Sequence, residues 1–475
     1  MSQTINVLFL AAEADPFIKV GGLGDVAGSL PHALRALSNE DVKLDVRLVL
    51  PYHPAVKADG IRPSGMFSIP RGETEVAVEI FETVLNGMPV YFISGDPIRT
   101  NGSVYSLDAK LDAEKYTFFS LAALELPRQV NWQPDVIHAN DWHTALSVYG
   151  SLTKRWEENA RHVAGVITLH NLPFMGPDIS GILDAYKVKL AQTDLPDWAR
   201  VMPLPLGLWA SDAIVAVSPT YGNEILTPEY GCGLDEFLQL RRETLSGVLN
   251  GIDVDSFNPV SDTALGMNFD LDSLEKRAAN KGLLQERLGL KVEPNLPLIA
   301  TVSRMDVQKG VDLAFAALKS MKKIDFQAVI LGTGDPKLEE AALNLQTLFP
   351  EKIKVITRYD AGLARQIYAG SDMLLMPSRY EPCGLSQMIA MRYGCVPVVR
   401  AAGGLNDTVK QGETGFVFEK VHHLSLVSAI KNALKVFADK ERWQALQRNG
   451  MAQDFSWTNS ARQYLDLYQS LINKK

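Results

Sequence analysis

The sequence predicts an α/β protein built from two doubly wound parallel sheets. Apolar runs of strand length, rich in β-branched residues and without polar alternation, recur along the chain with helical segments between them, as strands buried on both faces require. The pattern starts afresh after about residue 295, so each half holds its own sheet. A chain of 475 residues also exceeds what one hydrophobic core fills, which makes two domains of roughly 200 residues the default.

In the first half, INVLFL (5–10), VRLVL (46–50), DVIHA (135–139), VAGVITL (163–169) and DAIVAV (212–217) read as parallel strands. Helical stretches over Asp25 to Ala36, Ala113 to Leu126 and Thr144 to Glu157 connect them as βαβ units. EVAVEIFETVL, Asn86-Gly87 and MPVYFIS predict a hairpin, because Asn-Gly suits a type I′ turn. In the second half LPLIATVS (296–303), FQAVILG (326–332), IKVIT (353–357), DMLLMP (372–377) and VPVVR (396–400) are the strands. Between the halves, GVLNGIDVDSFNP (247–259) is rich in Gly, Asn, Asp and Pro and reads as the crossover. The final segment places Trp457, Ala461, Tyr464, Leu465, Tyr468, Leu471 and Ile472 on one stripe of a helix, with Ser456 as its cap, so it packs on a domain face.

Composition narrows the function. A formal net charge of -8 argues against a general nucleic-acid or membrane-surface binder, leaving any anionic ligand to a few local cations and backbone N–H groups. Cys232, Cys383 and Cys395 are too scattered for a disulfide framework or a thiolate zinc site. No basic segment precedes INVLFLAA, and Glu13 and Asp15 follow at once, so it reads as a first strand rather than a signal peptide and the expected location is cytoplasmic.

In open parallel sheets ligands bind beyond the carboxyl ends of the strands, so the loops there are the place to look. RMDVQKG puts Arg304 and Lys309 at a helix entry, either as a diphosphate site or as surface charges. SRYEPCGLSQ puts Glu381 where its carboxylate could take sugar hydroxyls or cap the following helix, expected from Gly384 to Tyr393, with the Gly384 and Leu385 amides free to face a phosphate. Cys383 reads as a small packing residue. Asp141, His143, His170 and Asn171 follow strands of the first half, and Asn250 and Tyr359 fall on the same rim of a cleft between domains.

Other chemistries find less support. G-x-S-x-G, H-E-x-x-H and the G-x-x-x-x-G-K-[ST] loop are absent, and the Asp-x-Asp pairs at 253–255 and 270–272 end no clear strand. The stretch KVGGLGDVAGSLP (19–31) matches G-x-G-x-x-G/A, with Asp45 roughly 20 residues on, as an NAD-binding oxidoreductase would ask. In such a site the first glycine follows the strand at once, whereas here Glu13 to Gly21 intervene, and Asp45 leads into a strand instead of ending one. The match is a spacing coincidence, and the loop reads as a lid carrying Lys19 and Asp25.

These residues together resemble the bacterial glycogen synthases and plant starch synthases over essentially the whole chain. The landmarks are Lys19-Val20-Gly21-Gly22-Leu23 with Asp25, Asp141-Trp142-His143, His170-Asn171, Asn250 to Asp253, Arg304 to Gly310, and Ser378 to Gln387. The resemblance implies the GT-B fold, two Rossmann-like domains facing a deep cleft: 1–248 on the glucan acceptor side, joined by a returning helix 457–475, and 249–456 on the donor side. It implies a retaining transfer of glucose from ADP-glucose, or UDP-glucose, to the non-reducing end of an α-1,4-glucan, with no metal or cofactor and no assigned oligomeric state. By the same resemblance Arg304 and Lys309 clamp the diphosphate, Glu381 orients the donor glucose, and His170 and Asp141 complete the catalytic set. Lys19, Gly22, Asp25, Asn171, Asn250, Tyr359, Cys383, Gly384 and Leu385 would bind the donor. Val20 and Asn140 stand where the family often has Thr and His, which bears on donor and acceptor preference. Another GT-B sugar-nucleotide enzyme and a catalytically idle glucan-binding homologue are the alternatives.

Overall fold

The computed structural model describes residues 3–56, 59–100, 102–158 and 161–473, and the chain divides into two compact units, Met1–Gly251 with Ser456–Lys475, and Ile252–Phe455.

The first unit is organised on a nine-stranded sheet. Its strands are β1 (Gln3–Leu10), β2 (Val42–Pro51), β3 (Arg62–Arg71), β4 (Thr74–Leu85), β5 (Met88–Ser94), β6 (Val136–Asn140), β7 (Ala164–Leu169), β8 (Ala213–Ala216) and β9 (Leu245–Gly247), in the order β3-β4-β5-β2-β1-β6-β7-β8-β9. From β5 to β9 neighbours pair in parallel, and β3 and β4 add an antiparallel margin. Asn86 (φ 48°) and Gly87 (φ 79°) both turn left-handed between β4 and β5, as a type I′ hairpin demands. The expected connecting helices run longer than the pattern indicates, over Gly22–Ala36, Ala109–Gln129 and Trp142–Glu158.

The last helix, Trp457–Asn473, belongs to this first unit. Trp457, Ala461, Tyr464 and Tyr468 are buried in the same core as Val7, Phe9, Val26 and Leu30. Hydroxyls anchor it further: His138 of β6 bonds Tyr468 Oη at 2.6 Å through Nδ1 and Thr168 Oγ1 at 2.7 Å through Nε2.

The second unit holds β10 (Leu298–Val302), β11 (Gln327–Leu331), β12 (Ile353–Ile356), β13 (Met373–Met376), β14 (Val396–Arg400) and β15 (Phe416–Phe418). All pair in parallel, in the order β12-β11-β10-β13-β14-β15. That is the doubly wound order with its switch point between β10 and β13. Among the described residues no helix is long and apolar enough to cross a membrane.

Candidate active site

In the second unit the switch point opens between the loops that follow β10 and β13, and polar contacts stitch these loops together. Arg379 N–H donates to Gln308 O at 2.7 Å, and the Arg379 guanidinium reaches Val307 O at 2.7 Å and both Asp312 oxygens at 2.7 and 2.8 Å. The hydrogen bonds from Arg379 hold the Asp312 carboxyl below its ordinary range. Gly310 sits at φ 64°, where a Cβ would lie 2.1 Å from Pro377 O, so only glycine lets the loops approach this closely.

That approach brings Lys309 and Glu381 together. Lys309 Nζ donates to Glu381 Oε1 at 2.7 Å and Oε2 at 2.8 Å, and Ser378 Oγ donates to Oε2 at 2.8 Å. Glu381 is 4% exposed, so its charge is balanced by Lys309 rather than by water. Asp306 divides its carboxylate between the Lys309 N–H at 2.9 Å and Arg304 Nη1 at 2.9 Å, leaving the Arg304 side chain largely in solvent. A third loop, after β14, closes in: Gly404 N–H donates to Glu381 O at 3.1 Å, and Gly403 adopts φ 43°, where a Cβ would lie 2.0 Å from that oxygen.

Cys383 is buried, and the left-handed Gly384 and then Leu385 lead into a helix that runs over Ser386–Arg392, shorter than expected at both ends. Tyr359 is 81% exposed beyond β12, and β11 separates β12 from β10 in the sheet.

In the first unit the parallel order reverses between β1 and β6. Asp141 follows β6 at φ 56° and is buried, and its carboxylate accepts N–H bonds from His170 at 2.8 Å and Asn171 at 3.4 Å, the residues that follow β7. Burial pushes the Asp141 carboxyl up, against the pull of His170 and these amides, and pushes the His170 imidazole down. His170 Nε2 meets Asn140 Oδ1 at 2.9 Å. Among the described residues, the buried side-chain oxygens of Asn171 and Asn250 have no hydrogen-bond partner.

Residues 11–21 link β1 to its helix, and Gly22 and Gly24 lie inside that helix, not in a turn against the strand end. Asp45 is spent on Arg35, Arg47 and Trp132 Nε1, at 3.4, 3.3 and 2.9 Å. Neither feature of a dinucleotide site survives. Lys19 pairs with Asp25 at 2.5 Å.

The sequence pattern singled out neither Glu13 nor Tyr105. The Glu13 carboxylate, 1% exposed, accepts the Val20 and Gly21 N–H groups and Tyr105 Oη at 2.9 Å. Desolvation raises the Glu13 carboxyl, and those donors oppose it. The buried Lys115, paired with Asp112 at 2.6 Å, fixes the Ser103 and Val104 carbonyls that precede Tyr105. An acidic residue three positions beyond an apolar strand was the available signal. The carboxylates of Asp253 and Asp270, by contrast, each accept N–H bonds within their own turns.

Residues 6–240 match the family model described as the starch synthase catalytic domain, and residues 286–450 match the glycosyl transferases group 1 model. The glycogen synthase of Streptococcus sanguinis (strain SK36) is 40% identical over 490 residues, covering 98% of this chain and 100% of that protein. The chain belongs to the glycogen synthase family. A second member, the glycogen synthase of Streptococcus gordonii, is 40% identical with the same coverage. Among solved structures, the catalytic domain of starch synthase IV from Arabidopsis thaliana, bound to ADP and acarbose, superposes with a TM-score of 0.90 at 31% identity, covering 99% of this chain and 100% of that one. Sucrose-phosphate synthase from Thermosynechococcus elongatus, at 19% identity and a TM-score of 0.63 over 99% of this chain and 100% of that one, shares the fold. Family membership makes the chain a glycosyltransferase, and its two parallel-sheet units are those of the GT-B fold.

Proposed function

We propose that this protein transfers glucose from ADP-glucose to the non-reducing end of an α-1,4-glucan with retention of configuration. The observation that carries the reading is the pairing of a half-buried Lys309 with the buried Glu381 at the switch point of a doubly wound sheet, in a chain that aligns over nearly its whole length with glycogen synthases. The nucleotide found in the starch synthase IV structure supports ADP-glucose over UDP-glucose as the donor.

The unit Ile252–Phe455 is the donor side in this proposal. Lys309 and Arg304 take the diphosphate and stabilise the charge that grows on the departing nucleotide, an electrostatic role for preorganised cations. Glu381, turned by Lys309 and Ser378, accepts hydroxyls of the donor glucose. Tyr359 and the Gly384 and Leu385 amides, beside Cys383, hold the nucleoside and phosphates. In the other unit Asp141 fixes the His170 and Asn171 main chain, and these residues with Asn250 meet the glucose and the acceptor. Lys19, Gly22 and Asp25 close on the donor. The leaving phosphate accepts the proton of the incoming hydroxyl as the new bond forms on the same face.

The test is ADP release from ADP-glucose with and without glycogen, read beside Lys309→Ala. Glycogen-dependent release that the substitution removes supports the proposal. Equal release by the variant would overturn the role of Lys309.

A further inference from the structure

We infer that Arg400 is a positioning residue for the Glu381 carboxylate, an inference that rests on the glucosyltransferase reading of this site. Arg400 ends β14 and is 6% exposed. A buried guanidinium is costly unless a carboxylate neutralises it. Among the described residues Arg400 forms no ion pair, and Glu381 and Asp312 are held by Lys309 and Arg379. Every hydrogen bond that Arg400 donates goes instead to a main-chain carbonyl: Ser378 O from Nε at 2.6 Å, Arg379 O from Nη2, and Glu419 O from Nη1 at 3.5 Å.

Ser378 joins the two sites. Its carbonyl accepts from Arg400 while its hydroxyl donates to Glu381 Oε2 at 2.8 Å. Arg379, next along the chain, gives its carbonyl to Arg400 and its guanidinium to Asp312. The rigid fork of Arg400 therefore fixes Ser378 and Arg379 from one side, and Lys309 fixes Glu381 from the other. A lysine at position 400 keeps the charge but offers no planar fork, and a glutamine keeps neither.

The test compares Arg400→Gln and Arg400→Lys with the unaltered full chain, by steady-state transfer from ADP-glucose to glycogen and by amide hydrogen exchange. Arg400→Gln is expected to lower kcat at least tenfold and raise KM for ADP-glucose, with KM for glycogen within twofold. Arg400→Lys is expected to fall between. The Arg379 and Gly404 amides, which donate to Gln308 O and Glu381 O, are expected to exchange at least tenfold faster in Arg400→Gln, while those of β10 and β11 keep their protection. A merely structural role would speed exchange throughout the unit and leave the two KM values moving together. Unchanged exchange at Arg379 and Gly404 in both variants would overturn the inference, as would unchanged kcat in both. If the unaltered protein transfers no glucose, the reading of the reaction fails, and exchange at Gly404 still decides the role of Arg400. If Arg400→Gln does not fold, Arg400→Lys carries both measurements.

Discussion

Lys309 Nζ holds both oxygens of the Glu381 carboxylate, at 2.7 and 2.8 Å, and the two residues come from loops 72 positions apart in sequence. Removing one partner leaves the other charge in a poorly hydrated place, a loss of about 3 kcal/mol for a buried pair. Folding survives such a loss in a typical domain stable by about 5–15 kcal/mol. Lys309→Ala and Glu381→Ala are expected to lower turnover by about 100-fold or more. Circular dichroism with parallel assays checks this, and a folded variant with normal turnover would remove the pair from the mechanism.

The Glu13 contacts carry a prediction for the Lys19 loop. Glu13→Gln loses a charged acceptor shared by the Val20 and Gly21 N–H groups, and Tyr105→Phe removes the third donor. Each is expected to raise KM for ADP-glucose several-fold, and the double variant to do less than the product of the two, because both act on one carboxylate. A double-mutant cycle measures the coupling, and strictly multiplicative effects would contradict a shared role.

Gly310→Ala tests the approach of the β10 and β13 loops. A Cβ at φ 64° and 2.1 Å from Pro377 O forces the loops apart. The expected cost is about 3 kcal/mol, from left-handed strain and displaced backbone. Urea midpoints give the stability change, and turnover is expected to fall with it because Lys309 is the preceding residue.

The anchor of the last helix makes stability depend on pH. Burial among Phe9, Thr168, Tyr464 and Tyr468, with the nearby His170, pushes His138 down to about 3. The folded value lies below the unfolded value of about 6.5, so the unfolded chain binds the extra proton. The His138 contribution is complete above about pH 6.5 and is lost as pH falls from there toward 3, by about 1.4 kcal/mol per unit. Urea unfolding from pH 7 to 4 is expected to show a shallower slope in His138→Gln than in the unaltered chain, and equal slopes would contradict the assignment.

Which parts were legible follows from physics. Strands such as β1, β10 and β13 are buried on both faces and announce themselves as apolar runs. β3 does not, because RPSGMFSIPR is mostly exposed at the sheet margin and broken by two prolines and a glycine. β9 and β15 are three residues each, too short to show a period. Lys309 and Glu381 were legible from the chemistry of their loops. Glu13 and Arg400 were not, since the partners that define them, Tyr105 and Ser378, lie 92 and 22 positions away.

The decisive experiment on glucosyl transfer incubates the full chain with ADP-glucose and glycogen and measures ADP released and glucose incorporated together. Equal amounts of both are expected, dependent on glycogen, greater than with UDP-glucose, and lost in Lys309→Ala. Absence of ADP release above a glycogen-free control, or release without incorporation, would contradict glucosyl transfer.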